Sequence, residues 1–121
     1  MTEVVTFTGG ATRESDVDKL DYEGFLSPLV LERFAQYMHK HRLQADGAMR
    51  SSDNWQGGMP RQRYLKSLVR HVWELWALFR GRPLSPKTAR DPQDVEEVLC
   101  AIFFNTQGLL LEFLLKRDLK G

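Results

Sequence analysis

A chain of 121 residues is the size of one ordinary domain, and 42% hydrophobic against 27% charged residues is a globular rather than a disordered composition. Seventeen basic and sixteen acidic residues leave a formal charge of +1, which excludes the strongly basic footprint of a duplex-DNA or membrane-surface binder. The single cysteine, Cys100, can form neither an internal disulfide nor a cysteine-based zinc cluster, which suits a reducing compartment.

The opening residues, Met1 to Gly10, lack the basic head and long apolar core of a secretory signal, so the expected location is the cytoplasm. Residues 1–25 are polar and punctuated by Gly9-Gly10. Val4-Val5-Thr6-Phe7 fits a short strand or an extended segment, and we expect a loosely packed N-terminal arm here. Residues 26–121 are expected to form the helical domain proper, the whole chain being one domain.

The first helix starts with Ser27 as N-cap and Pro28 at the first helical position. Val30, Phe34, Tyr37, Met38 and His41 then recur on one face, with Arg33, Gln36, Lys40 and Arg42 outside. The pattern ends near Asp46-Gly47, a turn signal. The hydrophilic loop from Gly47 to Pro60 carries Trp55 in its middle. A tryptophan there either packs down as a lid on the core or forms a wall for a flat ligand.

A second helix is expected from about Pro60 to Arg80. Tyr64, Leu65, Leu68, Val69, Val72, Leu75, Trp76 and Phe79 make its broad apolar face, and Arg63, Ser67, Arg70, His71 and Glu74 the remainder. Gly81 fits a C-cap, Pro83 and Pro86 stop continuation, and a surface loop with Lys87 and Arg90 runs to Pro92.

The third helix begins near Asp91 or Asp94 and ends around Lys116, with acids at its start and Lys116-Arg117 at its end complementing the dipole. The stretch Val98 to Leu115 is nearly long enough to cross a bilayer. Asn105, Gln107 and Glu112 interrupt it, so it reads as a buried helix and no membrane is expected. Its apolar residues are too many for one face, and three helices cannot enclose it. The fold class is therefore all-α, a small bundle of three main helices with an extended N-terminal arm, completed by a second copy in a homodimer.

Glu97, Ala101 and Asn105 follow one another at four-residue steps on that helix. Small Ala101 and Gly108 leave room beside them. A buried Asn105 needs a partner, because leaving it unpaired costs on the order of 1–3 kcal/mol. That partner is either a neighbouring helix or a ligand. His71 and Glu74, and likewise Asp94 and Glu97, are spaced so that each pair points at one spot. Acids gathered across an antiparallel helix pair repel unless a divalent cation neutralises them. Oxygen ligands favour Mg²⁺ or Mn²⁺ over zinc. Arg70 fits a phosphate contact and a surface ion pair equally. His39, His41 and His71 make no plausible zinc set, and no P-loop, dinucleotide fingerprint or nucleophile triad is present.

Several of these segments together carry a family resemblance. Thr8-Gly9-Gly10-Ala11-Thr12-Arg13 with Lys19-Leu20-Asp21-Tyr22, then Asp53-Asn54-Trp55-Gln56-Gly57-Gly58, Arg70-His71 with Trp76, and Glu97 to Asn105 resemble the dATP/dGTP diphosphohydrolase N-terminal domain family common in bacteriophages. The likeness covers most of the chain. It implies a helical fold similar to the MazG-like nucleotide pyrophosphohydrolases, dimeric and dependent on Mg²⁺ held by helix carboxylates. The implied reaction converts a (deoxy)nucleoside triphosphate to monophosphate and pyrophosphate, in the host cytoplasm if phage-encoded.

Carried over, Glu74 and Glu97 would be catalytic, and Glu74, Asp94 and Glu97 the metal ligands. Arg13, Lys19 and Arg70 would meet phosphates, Asn54, Trp55 and Asn105 would lie nearer the nucleoside, and His71 would join the substrate-binding set. MazG-like enzymes carry Glu-x-x-Glu and Glu-x-x-Asp, whereas this chain reads His71-x-x-Glu74 and Asp94-x-x-Glu97. The expected partner is a nucleotide substrate, with no nucleic acid. The alternative is a non-catalytic helical dimerisation or nucleotide-binding module.

Overall fold

The computed structural model describes residues 3–82 and 94–120, so most of the expected 81–92 connection, with Lys87 and Arg90, lies outside the described residues. The chain divides into two compact units, Met1–Leu31 and Glu32–Gly121.

In the first unit the expected loose arm is instead a β-hairpin. Strands β1 (Val4–Thr6) and β2 (Thr12–Glu14) pair antiparallel in the register Val4 with Glu14 and Thr6 with Thr12. The turn is closed by Phe7 and Gly10 amides donating to Ala11 and Phe7 carbonyls at 2.8 Å each. It needs Gly10, whose φ of 88° is one that side chains disfavour. All six strand residues are exposed, so backbone pairing rather than core burial holds the hairpin. A one-turn helix, α1 (Tyr22–Phe25), follows, with the Asp21 carboxylate accepting from the Gly24 amide at 2.8 Å. It was not expected from the sequence, because four residues show no helical period.

Helix α2 (Pro28–Lys40) starts as anticipated: the Ser27 hydroxyl accepts from the Val30 amide at 3.2 Å and Pro28 opens the first turn. Its inner face is Phe34, Tyr37, Met38 and His41, all half-buried, and Phe34 meets Phe103 at 4.5 Å between ring centroids. The following loop folds back through a bridge between Leu43 and Met49, with Gly47 at φ 86°, and contains a 3₁₀ turn over Asn54–Gly57.

Helix α3 (Arg61–Phe79) ends in a Schellman arrangement. The Arg82 amide donates to Ala77 and the Gly81 amide to Leu78, with Gly81 at φ 70° as its expected cap. Helix α4 (Val95–Lys120) runs past the expected end at Lys116. Arg61 stacks on Phe113, while Tyr64 lies on Gly108 and meets the Phe104 ring at 6.1 Å, so rising numbers on α3 meet falling numbers on α4. The two helices are antiparallel.

Their buried residues reverse one expectation. On α3 the covered positions are Tyr64, Glu74 and Ala77, with Ser67, Leu68, His71 and Leu75 half-buried between them. Much of the expected apolar face is open instead: Val69 is 60%, Trp76 62% and Phe79 74% exposed. On α4 the covered stripe is Val98, Ala101, Asn105 and Gly108, while Leu99, Phe103, Leu110 and Phe113 are exposed. The reason is steric. Small side chains on α4 let a broad tyrosine face it closely, and the bulky apolar residues are turned outward. By length and composition alone α4 could cross a membrane, with a mean hydropathy of 1.8 over an 18-residue window within Val95–Arg117.

Candidate functional site

Glu74 is the most deeply covered charged residue among those described, at 1% exposure. Its carboxylate meets His71 Nδ1 at 2.5 Å, one turn earlier on α3. A lone buried carboxylate would be strongly disfavoured, and the hydrogen bond with the imidazole relieves part of that cost. Continuing the α3–α4 register from Tyr64 and Gly108 at 1.5 Å per residue sets Glu74 at about the level of Val98.

Glu97 is neither solvated nor grouped with other acids. Its side chain is 12% exposed and forms an ion pair with Lys40 and a second, at 3.4 Å, with Arg33, both from α2. Arg33 also donates to Glu96 at 2.8 Å, and that hydrogen bond raises the arginine's pKa above its ordinary value. Asp94 serves as the N-cap of α4: its carboxylate accepts from the Glu97 amide at 2.7 Å. The aspartate therefore does not aim at a site shared with Glu97 and Glu74.

The expected metal set of Glu74, Asp94 and Glu97 is thus dispersed among three different partners. Among the described residues no group of three histidine, cysteine or acidic side chains is arranged to hold a metal ion. Mg²⁺ does not fit the acids of a single chain as they stand.

Asn105, 5% exposed, donates from Nδ2 to the Ala101 carbonyl at 2.8 Å. Its partner is its own helix, not the neighbouring one. The room expected beside Gly108 is filled by the Tyr64 ring. Arg70 is exposed and donates only to the Ser67 hydroxyl, at 3.4 Å, among its described contacts. Arg13 sits on exposed β2, and Lys19 forms an open ion pair with Asp16 at 3.7 Å; both belong to the first unit. Cys100 is a covered core residue as expected, and burial pushes its thiol above the ordinary range.

Asn54 and Trp55 are brought together with residues that the sequence did not single out. They line a cleft of about 570 Å³ between the C-terminal part of α2, the 50–59 loop and Phe104 of α4. Trp55 is half-buried and meets Phe104 edge-on at 5.9 Å, so it packs on the core and walls the cleft at once. Arg42 and Arg50 share that wall, with His39 and His41. Arg33 and Lys40, seven residues apart and so on one face of α2, were also missed. A basic pair at that spacing was the available signal for partners of Glu96 and Glu97.

No protein-family model, no curated protein and no solved structure matches this chain.

Proposed function

We propose that this protein is a cytoplasmic nucleoside triphosphate pyrophosphohydrolase that works as a homodimer and releases monophosphate and pyrophosphate. The observation that carries this reading is Glu74, a carboxylate kept at 1% exposure on the inner face of a helix pair. Burial of an acid is costly and is seldom retained for stability alone. The resemblance to phage dATP/dGTP diphosphohydrolases supplies the reaction class. Dimerisation accounts for the open apolar side of α3 and α4, including Val69, Trp76 and Phe79.

Mg²⁺ is the cofactor that this chemistry calls for, and carboxylates from two chains are the natural way to complete a set that one chain leaves dispersed. In this reading His71 orients the Glu74 carboxylate through their hydrogen bond, and Lys40 and Arg33 balance the Glu97 charge until substrate arrives.

A second reading rests on the Glu97 ion pairs. An acid already neutralised by Lys40 and Arg33 needs no metal, and this favours a non-catalytic helical dimerisation or nucleotide-binding module. Incubation of the full chain with a panel of dNTPs and Mg²⁺ separates the two. The hydrolase reading expects monophosphate well above that formed by a Glu74→Ala, Glu97→Ala double variant. Equal rates would leave only the binding module.

A further inference from the structure

The cleft beside α2 has a chemistry of its own. Its volume of about 570 Å³ is that of a small-molecule site. Two arginines and two histidines contribute to its walls, and among the described residues no carboxylate lines it. Arg42 is fixed: its Nε donates to the Arg50 carbonyl at 2.8 Å, and one terminal nitrogen lies 3.5 Å from His39 Nδ1. Neither Arg42 nor Arg50 has an acidic partner among the described residues. Arginine ordinarily finds a carboxylate or phosphate oxygen, and two left together at a concave surface attract an anion. Beside small, hydroxyl and methionine side chains, the lining carries aromatic and amide groups: Tyr37, Trp55, Phe104 and Asn54. A ring of this kind accepts a flat base by stacking, worth about 1–3 kcal/mol per base, and an asparagine amide can read its edge.

We propose that this cleft is the nucleotide-binding site, with Arg42 and Arg50 holding the phosphate chain and Trp55 and Asn54 the base. The nucleotide class follows from the cation and aromatic pairing; the choice of a triphosphate rests on the hydrolase reading above. The assignment moves phosphate recognition away from Arg13, Lys19 and Arg70 and onto two residues of the loop that follows α2. Arg42 forms the base of the site, because its Nε bond to the Arg50 carbonyl fixes the loop. Arg50, exposed and held only through its backbone, is the adjustable phosphate contact.

Isothermal titration in EDTA, with the full chain and with dATP, deoxyadenosine and inorganic tripolyphosphate as probes, tests this. Arg50→Glu should weaken dATP and tripolyphosphate at least tenfold and leave deoxyadenosine unchanged. Trp55→Leu should weaken dATP and deoxyadenosine but not tripolyphosphate. Arg50→Glu removes no observed hydrogen bond of its side chain, so its melting temperature should match the wild type and exclude misfolding. Absence of dATP binding by the wild type, or a dATP affinity in both variants equal to that of the wild type, overturns the assignment. The same variants assayed with Mg²⁺ keep the two readings distinct. Hydrolysis with an unchanged KM in Arg50→Glu removes the cleft and leaves the hydrolase. Cleft-dependent binding without hydrolysis does the reverse.

Discussion

Gly108→Ala probes the contact that sets the α3–α4 register. A methyl group at that position would overlap Tyr64 at Cε1 and lie 2.5 Å from Cζ and 2.8 Å from Oη. Tyr64 is 1% exposed, so its ring has no open space to swing into. Alanine in a helix interior gains about 1 kcal/mol over glycine. Overpacking a tight core contact costs about 1–3 kcal/mol, more where the obstructing group is rigid. With a ring as the obstacle the upper end applies, so the net loss should be about 2 kcal/mol. For a chain of this size that lowers Tm by about 8 °C. Thermal unfolding followed by circular dichroism at 222 nm measures it, with Tyr64→Leu and the double variant closing a cycle. The pair should couple, because a smaller side chain at 64 admits the new methyl group. A Gly108→Ala protein that melts at or above the wild-type temperature would mean Tyr64 does not lie on α4. The level assigned to Glu74 would then fall with it.

Three further outcomes follow from the same contacts. Burial raises the Tyr64 phenol and the Cys100 thiol above their ordinary values of 10.0 and 9.0. Both groups bind their protons more tightly folded than unfolded, so their stabilisation is complete below pH 9 and is lost as pH rises through the raised values. Tm measured from pH 7 to 11 should therefore fall at the alkaline end, and less steeply in Tyr64→Phe. Lys40→Ala leaves Glu97 with Arg33 alone; since Lys40 is 42% exposed, the expected cost is about 1 kcal/mol, and urea titration should detect it. Trp76→Glu puts a charge on the open face of α3 without touching the covered stripe. If the proposed homodimer uses this face, sedimentation velocity should show the wild type as dimer and the variant as monomer, with helix content unchanged.

How much of this was readable from the chain depends on which interaction decides each element. Caps are local, so Ser27 with Pro28 and Gly81 located two helix ends correctly. The hairpin was harder to see, because Val4–Thr6 and Thr12–Glu14 bury nothing and are joined through backbone bonds that leave no periodic trace. The orientation of α3 was misread for a different reason. Hydrophobic periodicity identifies the face that seeks cover, and here Val69, Val72, Trp76 and Phe79 seek it while one chain buries Glu74 and half-buries His71 in their place. The acids were recognised, but their partners were not. Which residues neutralise Glu97 is fixed by the approach of α2 to α4, and 57 residues separate Lys40 from it. Trp55 and Asn54 stood out by type; Arg42 and Arg50 gained meaning only once the loop closed around them.

The proposed reaction is cleavage of a nucleoside triphosphate between its first and second phosphates. Ion-exchange chromatography of a dATP digest, with Mg²⁺ and purified full-length chain, measures that directly. The proposed reaction should give dAMP and pyrophosphate in equal amounts, and neither product from Glu74→Gln. Release of orthophosphate with dADP, or intact dATP after prolonged incubation, would contradict it.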